Sequence, residues 1–346
     1  MSIAISGSSI TFSDQTQMST ATGGSFRNRI INGDMRIDQR NAGASVTPTV
    51  DGSYNLDRWA VRLSQVSKFS VQRNAGAVTP PSGFTNYLGV TSLSSYSVTA
   101  SDYFALVQYI EGFNISDLAF GSAGAKTVSI SFWVRSSLTG TFGGSLENVN
   151  VNRSYPFSYA ISASNTWEQK TITIAGDTTG TWSSDNSIGF RLHIGLGVGS
   201  GSNRSNTAGA WVGAESFSAT GAVSVVGTNG ATFYITGVQL EAGSSATEFE
   251  HRPIGTEVML CRRYFTILPM GLARSPNAWV GGAGPMNSQP YGTMRAQPSL
   301  SYTLSTGSGG TYGIISVTIG DSIGCVYQES ANSVAGTAVI SANSEL

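Results

Sequence analysis

Val128-Ser129-Ile130-Ser131-Phe132-Trp133-Val134 places an apolar residue at every second position, the period of a strand with one face in a core and the other outside. Ile188, Phe190, Leu192, Ile194 and Leu196, interleaved with Gly189, Arg191, His193 and Gly195, repeat the pattern, and Thr171-Ile172-Thr173-Ile174 repeats it in brief. From Phe26 to about Ala246 the period stays at two, and Gly-, Ser- and Asn-rich stretches separate the runs. Many short alternating strands divided by such turns predict an antiparallel sandwich. With 346 residues the chain has material for that core and for smaller domains beside it.

Charged residues make up 11% of the chain, against about 25% in an average soluble protein. Ser, Thr and Asn carry the polar surface instead, beside 42 glycines. A surface of hydroxyls and amides suits packing between subunits, because a charge trapped in an interface must be paired or desolvated at a cost. An oligomer is expected. The net charge of −1 provides no basic field for nucleic acid or anionic lipid, so neither is expected as a partner. Cys261 and Cys325 have no ladder of further cysteines and read as buried free thiols, not as a disulfide framework or a zinc site. The N-terminus lacks a basic start, and no 18-residue apolar run occurs, so neither export through a signal peptide nor membrane insertion is expected.

Three further segments carry a resemblance. Phe26 to Met35 (FRNRIINGDM), Asn55-Leu56-Asp57-Arg58-Trp59 and Phe233 to Glu241 (FYITGVQLE) are similar to the opening strand, the buried Trp and the last strand of a jelly-roll carbohydrate-binding-like domain carried by bacteriophage tail and fibre proteins. The likeness spans roughly Phe26 to Phe265 and includes Gln108-Tyr109-Ile110-Glu111-Gly112 and the Asn165-Thr166-Trp167 turn into Lys170 to Ile174. Thr247 to Glu257, running into Leu260 to Phe265, resembles the segment that follows the sandwich in that family. Ile10-Thr11-Phe12-Ser13-Asp14, with Thr16-Gln17 and Thr20-Ala21, resembles a short leader of such proteins, with Gln15 where a Gly is usual. The resemblance implies an all-β chain: an attachment arm at 1–25, a jelly-roll β-sandwich at 26–250, a short connecting helix at 251–268 and a small C-terminal β domain at 269–346 that forms trimers.

Helical spacing occurs once. After Pro253, Thr256 is expected to cap a helix of about three turns on which Val258, Cys261 and Phe265 share a face, with Glu257 near its positive end and Arg262 and Arg263 near its negative end. Beyond a Gly-rich stretch from Ala278 to Met286, Leu300-Tyr302-Leu304, Ile315-Val317-Ile319 and Ala338-Val339-Ile340 read as strands again. So thin a core is marginal alone, and a shared axis in a trimer would supply the missing burial.

Catalytic chemistry is hard to assemble from these residues, and no enzyme is expected. The two histidines are His193, on the polar face of a strand, and His251, in the junction segment; no Gly-x-Ser-x-Gly, His-Glu-x-x-His or P-loop occurs. Gly195-Leu196-Gly197-Val198-Gly199 leads into Ser200-Gly201-Ser202 instead of a helix and reads as a surface loop. Asp34, Asp38, Asp51 and Asp57 read as surface turns, and no carboxylate pair stands out for glycoside hydrolysis. Aromatic rings stack on the apolar faces of pyranoses, which makes Trp133, Tyr155, Tyr159, Trp182 and Trp211 the candidates for glycan contact. For Trp133 and Trp182 packing against a neighbouring subunit is an equal alternative, while Trp59 and Trp167 are expected in the core. The jelly-roll resemblance also implies a structural calcium, to which Asp34 would contribute; Thr236 and Gly237 stand where its aspartates would, so neither metal nor cofactor is expected.

The resemblance thus implies a virion structural protein made in the host cytoplasm, a trimeric tail fibre or receptor-binding appendage. Its partners would be sister copies, other virion proteins through the arm, and a host-surface glycan. A capsid decoration or head-fibre protein is the alternative, and a glycan depolymerase is less favoured.

Overall fold

The computed structural model describes residues 26–201, 203–267, 294–296, 298–299, 301 and 341–346, together with the strand backbones at 4–6, 9–11, 17–19, 268–273, 300, 302–305, 312–319, 322–329 and 335–340. The expectations for the attachment arm, for the apolar axis of the C-terminal domain and for the Cys325 thiol concern side chains outside the described residues.

Strands β1 (Ala4–Ser6), β2 (Ser9–Thr11) and β3 (Gln17–Ser19) form a small antiparallel sheet. The body follows with β4 (Tyr54–Leu56), β5 (Trp59–Leu63), β6 (Phe69–Arg73), β7 (Leu88–Ser92), β8 (Tyr103–Glu111), β9 (Val128–Ser136), β10 (Gly140–Glu147), β11 (Ser154–Ile161), β12 (Glu168–Ile174), β13 (Ile188–Val198), the two-residue β14 (Ser205–Asn206) and β15 (Ser218–Ala219), and β16 (Thr232–Ala242). One sheet has the order β11-β10-β13-β8-β5-β4 and the other β12-β9-β16-β7-β6, every pair antiparallel. The chain crosses repeatedly from one sheet to the other, and the result is a jelly-roll β-sandwich.

Its core is the alternation made solid. Val128, Ile130, Phe132 and Val134 of β9 face Phe190, Leu192, Ile194 and Leu196 of β13 within one apolar cluster that also holds Trp59 and Phe233. Burying a side chain of this kind contributes roughly 1.5–3 kcal/mol, so the facing rows dominate the stability of the body. Trp59 is 1% exposed, and its indole Nε1 donates to the Asn32 carbonyl at 3.0 Å. Trp167, expected in this core, is instead half-buried in a separate cluster with Tyr87 and Tyr234, its Nε1 donating to the Thr79 carbonyl. It precedes β12 and reaches over the outward-facing Tyr234, not between the sheets.

The stretch 26–35 is not a strand. Asn32 and Met35 adopt left-handed φ values of 57° and 59°, which end any extended run. Two isolated backbone bonds, Arg29 N–H to Leu240 O and Val238 N–H to Gly33 O, tie it to β16, together with the Asn28 side chain, which donates to Val238 O and accepts the Leu240 N–H. The Gln108 side chain of β8 takes the Ile31 N–H and carbonyl, and several other groups are claimed by the junction segment. The Glu250 carboxylate accepts the Arg27 and Asn28 N–H groups at 3.1 and 3.0 Å, Arg252 donates to the Ile30 and Asn28 carbonyls, and buried Glu257 accepts the Asn32 N–H. The two segments form one clamp.

Helix α1 (Ile254–Arg262) starts three residues earlier than the Thr256 cap implied, directly after Pro253. Proline suits that place because it lacks the N–H a helix start cannot use, and Thr256 falls inside the helix. Cys261 is a buried free thiol on the packed face, and Phe265 already belongs to the next strand, β17 (Phe265–Ala273). Then come β18 (Ser299–Ser305), β19 (Tyr312–Ile319), β20 (Ser322–Glu329) and β21 (Ala335–Asn343), arranged as the sheet β17-β21-β18 and the hairpin β19-β20. After β21 the chain returns to the sandwich. Glu345 bonds Arg40 at 2.9 Å and the fully buried Arg58, whose guanidinium lies 3.5 Å from the centre of the Tyr264 ring.

Candidate functional site

Strands β8, β10 and β12 end at one pole of the sandwich, where β9, β11 and β13 begin. The connections there draw Tyr155, Trp182 and Trp211 together. Tyr155 opens β11, Trp182 lies between β12 and β13, and Trp211 lies between β14 and β15. The Trp182 and Trp211 ring centres are 5.4 Å apart at 79°, and Trp211 and Tyr155 are 5.3 Å apart at 66°. Phe120 and Phe190 pack beneath Trp182 at 5.0 and 5.3 Å. Gly180, at φ 78°, is needed here: a Cβ would stand 2.7 Å from Arg153 Cγ and 3.6 Å from Trp182 Nε1.

Both indole N–H groups are already used, Trp182 donating to Thr179 O at 3.0 Å and Trp211 to Ala175 O at 2.7 Å. What the half-buried rings offer outward is apolar ring surface. Beside it Arg153 forms a two-point pair with Asp177 at 2.7 and 2.8 Å, and Asn148 and Asn152 bond each other. Burial alone would raise the Asp177 carboxyl; the Arg153 side chain, with the Thr179 N–H and hydroxyl, outweighs it and holds the group below the usual carboxylate range. Rings bordered by an ion pair and amides form a surface suited to a polyhydroxylated ring with one apolar face.

Two candidates stand elsewhere. Tyr159 is 6% exposed and lies in the core, 5.0 Å from Phe132 and 6.0 Å from Phe142, so it is withdrawn as a glycan contact. It shares its strand face with Phe157 and Ile161, whereas Tyr155, on the same face, sits at the strand end where the core opens. Trp133 is half-exposed on the outer face of the five-stranded sheet, between Gln169 and Thr236 of the adjoining strands.

The outer face of the six-stranded sheet, polar by alternation, is closed by the chain itself. Residues 199–220 fold across it: Phe217 stacks on Tyr103 at 4.5 Å and 7°, with Arg62 and Arg204 against both rings. Gly195 is therefore not part of a surface loop. It lies in β13 beneath the cover, where a Cβ would meet Ser218 Oγ at 2.7 Å, and at Gly143 a Cβ would meet the same atom at 2.5 Å. His193 is fully buried with Nδ1 3.2 Å from Ser145 Oγ, a Ser–His contact sealed from any substrate. Burial, with the nearby Arg62 and Arg191 charges, holds its imidazole well below the ordinary value. His251 is exposed beside Phe84 and Phe249.

The aspartates read as surface turns are mostly interior. Asp57 accepts the Gln39 N–H and side-chain amide, Asp38 the Asn41 and Gly43 N–H groups, and Asp34 lies 2.5 Å from Arg36 Nε; Asp51 alone of the four is substantially exposed, paired with Arg62. Asp38 fixes its own turn through backbone donors, as short acidic residues do, while Asp57 and Asp51 accept N–H groups from Gln39 and Leu63. At Gly237, φ 61° and the Phe84 ring 2.6 Å from where a Cβ would stand leave no place for a ligand side chain, and the Thr236 hydroxyl donates to Asn86 O. Among the described residues no group of three His, Cys, Asp or Glu is placed to hold a metal, and no helix is long and apolar enough to cross a membrane. Sequence reading missed a pocket of about 220 Å³ at the clamp, rimmed by Phe26 and Phe113, both more than half exposed, with Arg252 and Leu260 in its wall; exposed Phe beside a charged motif was the available signal.

No family model matches the chain, and no curated protein does. Among solved structures, it is similar to the enzymatically active domain of bacteriophage CBA120 tailspike protein 4, at 11% identity and TM-score 0.34 over 63% of this chain and 22% of that one. It is similar to TmCBM61, solved in complex with β-1,4-galactotriose, at 11% identity and TM-score 0.33 over 63% of this chain and all of that one. A putative sugar-binding protein from Bacteroides thetaiotaomicron gives 10% identity and TM-score 0.35 over 62% and 100% of the respective chains. Likenesses this distant carry no weight for function; the jelly-roll sandwich stands on its own two sheets.

Proposed function

We propose that this chain is a virion structural protein of a bacteriophage, a trimeric tail fibre or receptor-binding appendage whose sandwich holds a glycan of the host surface and does not transform it. The observation that carries the reading is the convergence of Tyr155, Trp182 and Trp211 at one pole, beside the Arg153–Asp177 pair. Residues 1–25 serve as the attachment arm, 251–268 as the connection and 269–346 as the trimer-forming domain. Three weak sites on one axis then gain affinity by effective concentration, not by individual strength. Support for the virion assignment comes from the paired motifs at 26–35 and 247–265, which clamp one another in the fold.

Binding of the purified chain to host cells and to their isolated polysaccharide tests the site. Trp211→Ala is expected to weaken binding roughly tenfold per site, about 1.4 kcal/mol, with Trp133→Ala unchanged. Equal binding by a folded Trp211→Ala protein removes the cluster from the proposal. Imaging of labelled particles separates tail from head, and a label on the capsid would favour the decoration or head-fibre alternative.

A further inference from the structure

The least satisfied polar group in the described sandwich is Glu147, at the end of β10 and fully buried beneath the 199–220 cover. Neither carboxylate oxygen makes a hydrogen bond of ordinary geometry, and further unpartnered buried atoms line the same interface: Arg191 Nε and His193 Nε2 on β13, and, further along over Gly143 and Gly195, Ser218 Oγ on the cover. Buried polar groups are nearly always paired, so such a concentration at one interface marks a place where closure is costly. The charged and titratable groups facing Glu147 come from every element around it. Arg191 stands 3.6 Å away on β13, Arg62 lies further off on β5, and the neutral imidazole of His193 is on β13. Tyr109 on β8 lies against the Arg191 guanidinium, and the cover brings Glu215, a second carboxylate, paired with Arg204 at 3.0 Å.

We propose that Glu147 is a protonation latch for the cover: its neutral form lets residues 199–220 close on the six-stranded sheet, and its ionised form loosens them. The neutral acid needs no cation, whereas the anion would have only Arg191 at 3.6 Å and the Ser216 N–H to offset its burial between the sheet and a segment carrying Glu215. Burial pushes the Glu147 carboxyl up to about 8, with the Arg191 charge and the Ser216 N–H opposing, so the latch responds on the mildly alkaline side. Loosening would bare the sheet face that carries Tyr103, Tyr109, Arg62 and Arg191.

Hydrogen exchange of the full chain at pH 6, 7, 8 and 9, corrected for the intrinsic rate, reads the latch. Gly209, Val212 and Phe217 on the cover each donate a backbone hydrogen bond and are the reporters, and β9 serves as the reference. Their protection is expected to fall at least tenfold from pH 7 to 9 while β9 holds, and Glu147→Gln is expected to abolish that fall. A flat wild-type profile, or an equal fall in Glu147→Gln, overturns the proposal. Should that variant not fold, carboxyl NMR titration of the wild type decides: a Glu147 midpoint near 8 agrees, and one near 4.5 overturns it.

Discussion

The two sheets finish their outer faces in opposite ways. Over the six-stranded sheet a 22-residue excursion lies flat on Gly143 and Gly195, seals His193 and Glu147 from water and adds Phe217 as a wedge. The five-stranded sheet is closed only in part. Ser129, Ser131, Gln239 and Glu241 are buried there, with Thr247 bonded to Glu241, while Trp133, Gln169, Thr171 and Thr173 remain at least half-open. Both faces alternate in the same way along the chain. Alternation reports which side of a strand meets the core; it does not report whether the other side meets water.

The largest expected effect comes from breaking the seal itself. Phe217→Ala removes a buried ring stacked on Tyr103 and bordered by two guanidinium groups, and is expected to cost about 3–5 kcal/mol, read as a lowered denaturation midpoint. A loss under about 1 kcal/mol would mean that the cover is not part of the folded body and that the two faces are alike.

The next effect depends on pH. Glu147 holds its proton in the folded chain up to about 8 but releases it near 4.5 when unfolded, so the folded state binds more protons between those values and stability falls as pH rises. His193, kept neutral in the fold, acts oppositely and only below about 6.5, where the unfolded imidazole takes up a proton. Above that point His193 no longer opposes Glu147, and Asp57 and Glu257, whose carboxyls burial also raises, act in the same direction as Glu147. Stability should decline by about 2 kcal/mol between pH 6.5 and 8, and Glu147→Gln should flatten the curve over that range. A wild-type curve already flat there would place the carboxylate in contact with water.

The smallest effect is expected on the other face. Trp133→Ala should cost less than about 1 kcal/mol in the isolated chain. A loss of several kcal/mol would show that this face is also covered, and a change in sedimentation would assign the cover to a neighbouring subunit.

Much of the sandwich was legible in the sequence because its strands alternate against a dense core. β9, β12 and β13 fall within three residues of the runs that announced them. What was not legible depends on groups distant along the chain. Gly195 looked like a loop residue because its glycine is required by Ser218, which the chain brings back only after the excursion. The stretch 26–35 was read as a strand, but its backbone groups are bound instead by Gln108 and by Glu250, Arg252 and Glu257, the last three more than 200 residues away. Of the five glycan candidates, Tyr155, Trp182 and Trp211 meet, and no spacing in the sequence announced that meeting; Tyr159 was separable, since it shares parity with Phe157 and Ile161.

The central proposal is a glycan site at the aromatic pole and not on either sheet face. Titrating Trp-labelled protein with fragments of the host polysaccharide, while following the indole N–H signals, tests it most directly. The Trp182 and Trp211 signals are expected to shift and saturate together while those of Trp59 and Trp133 stay fixed. Saturable binding that leaves Trp182 and Trp211 unmoved would contradict the account.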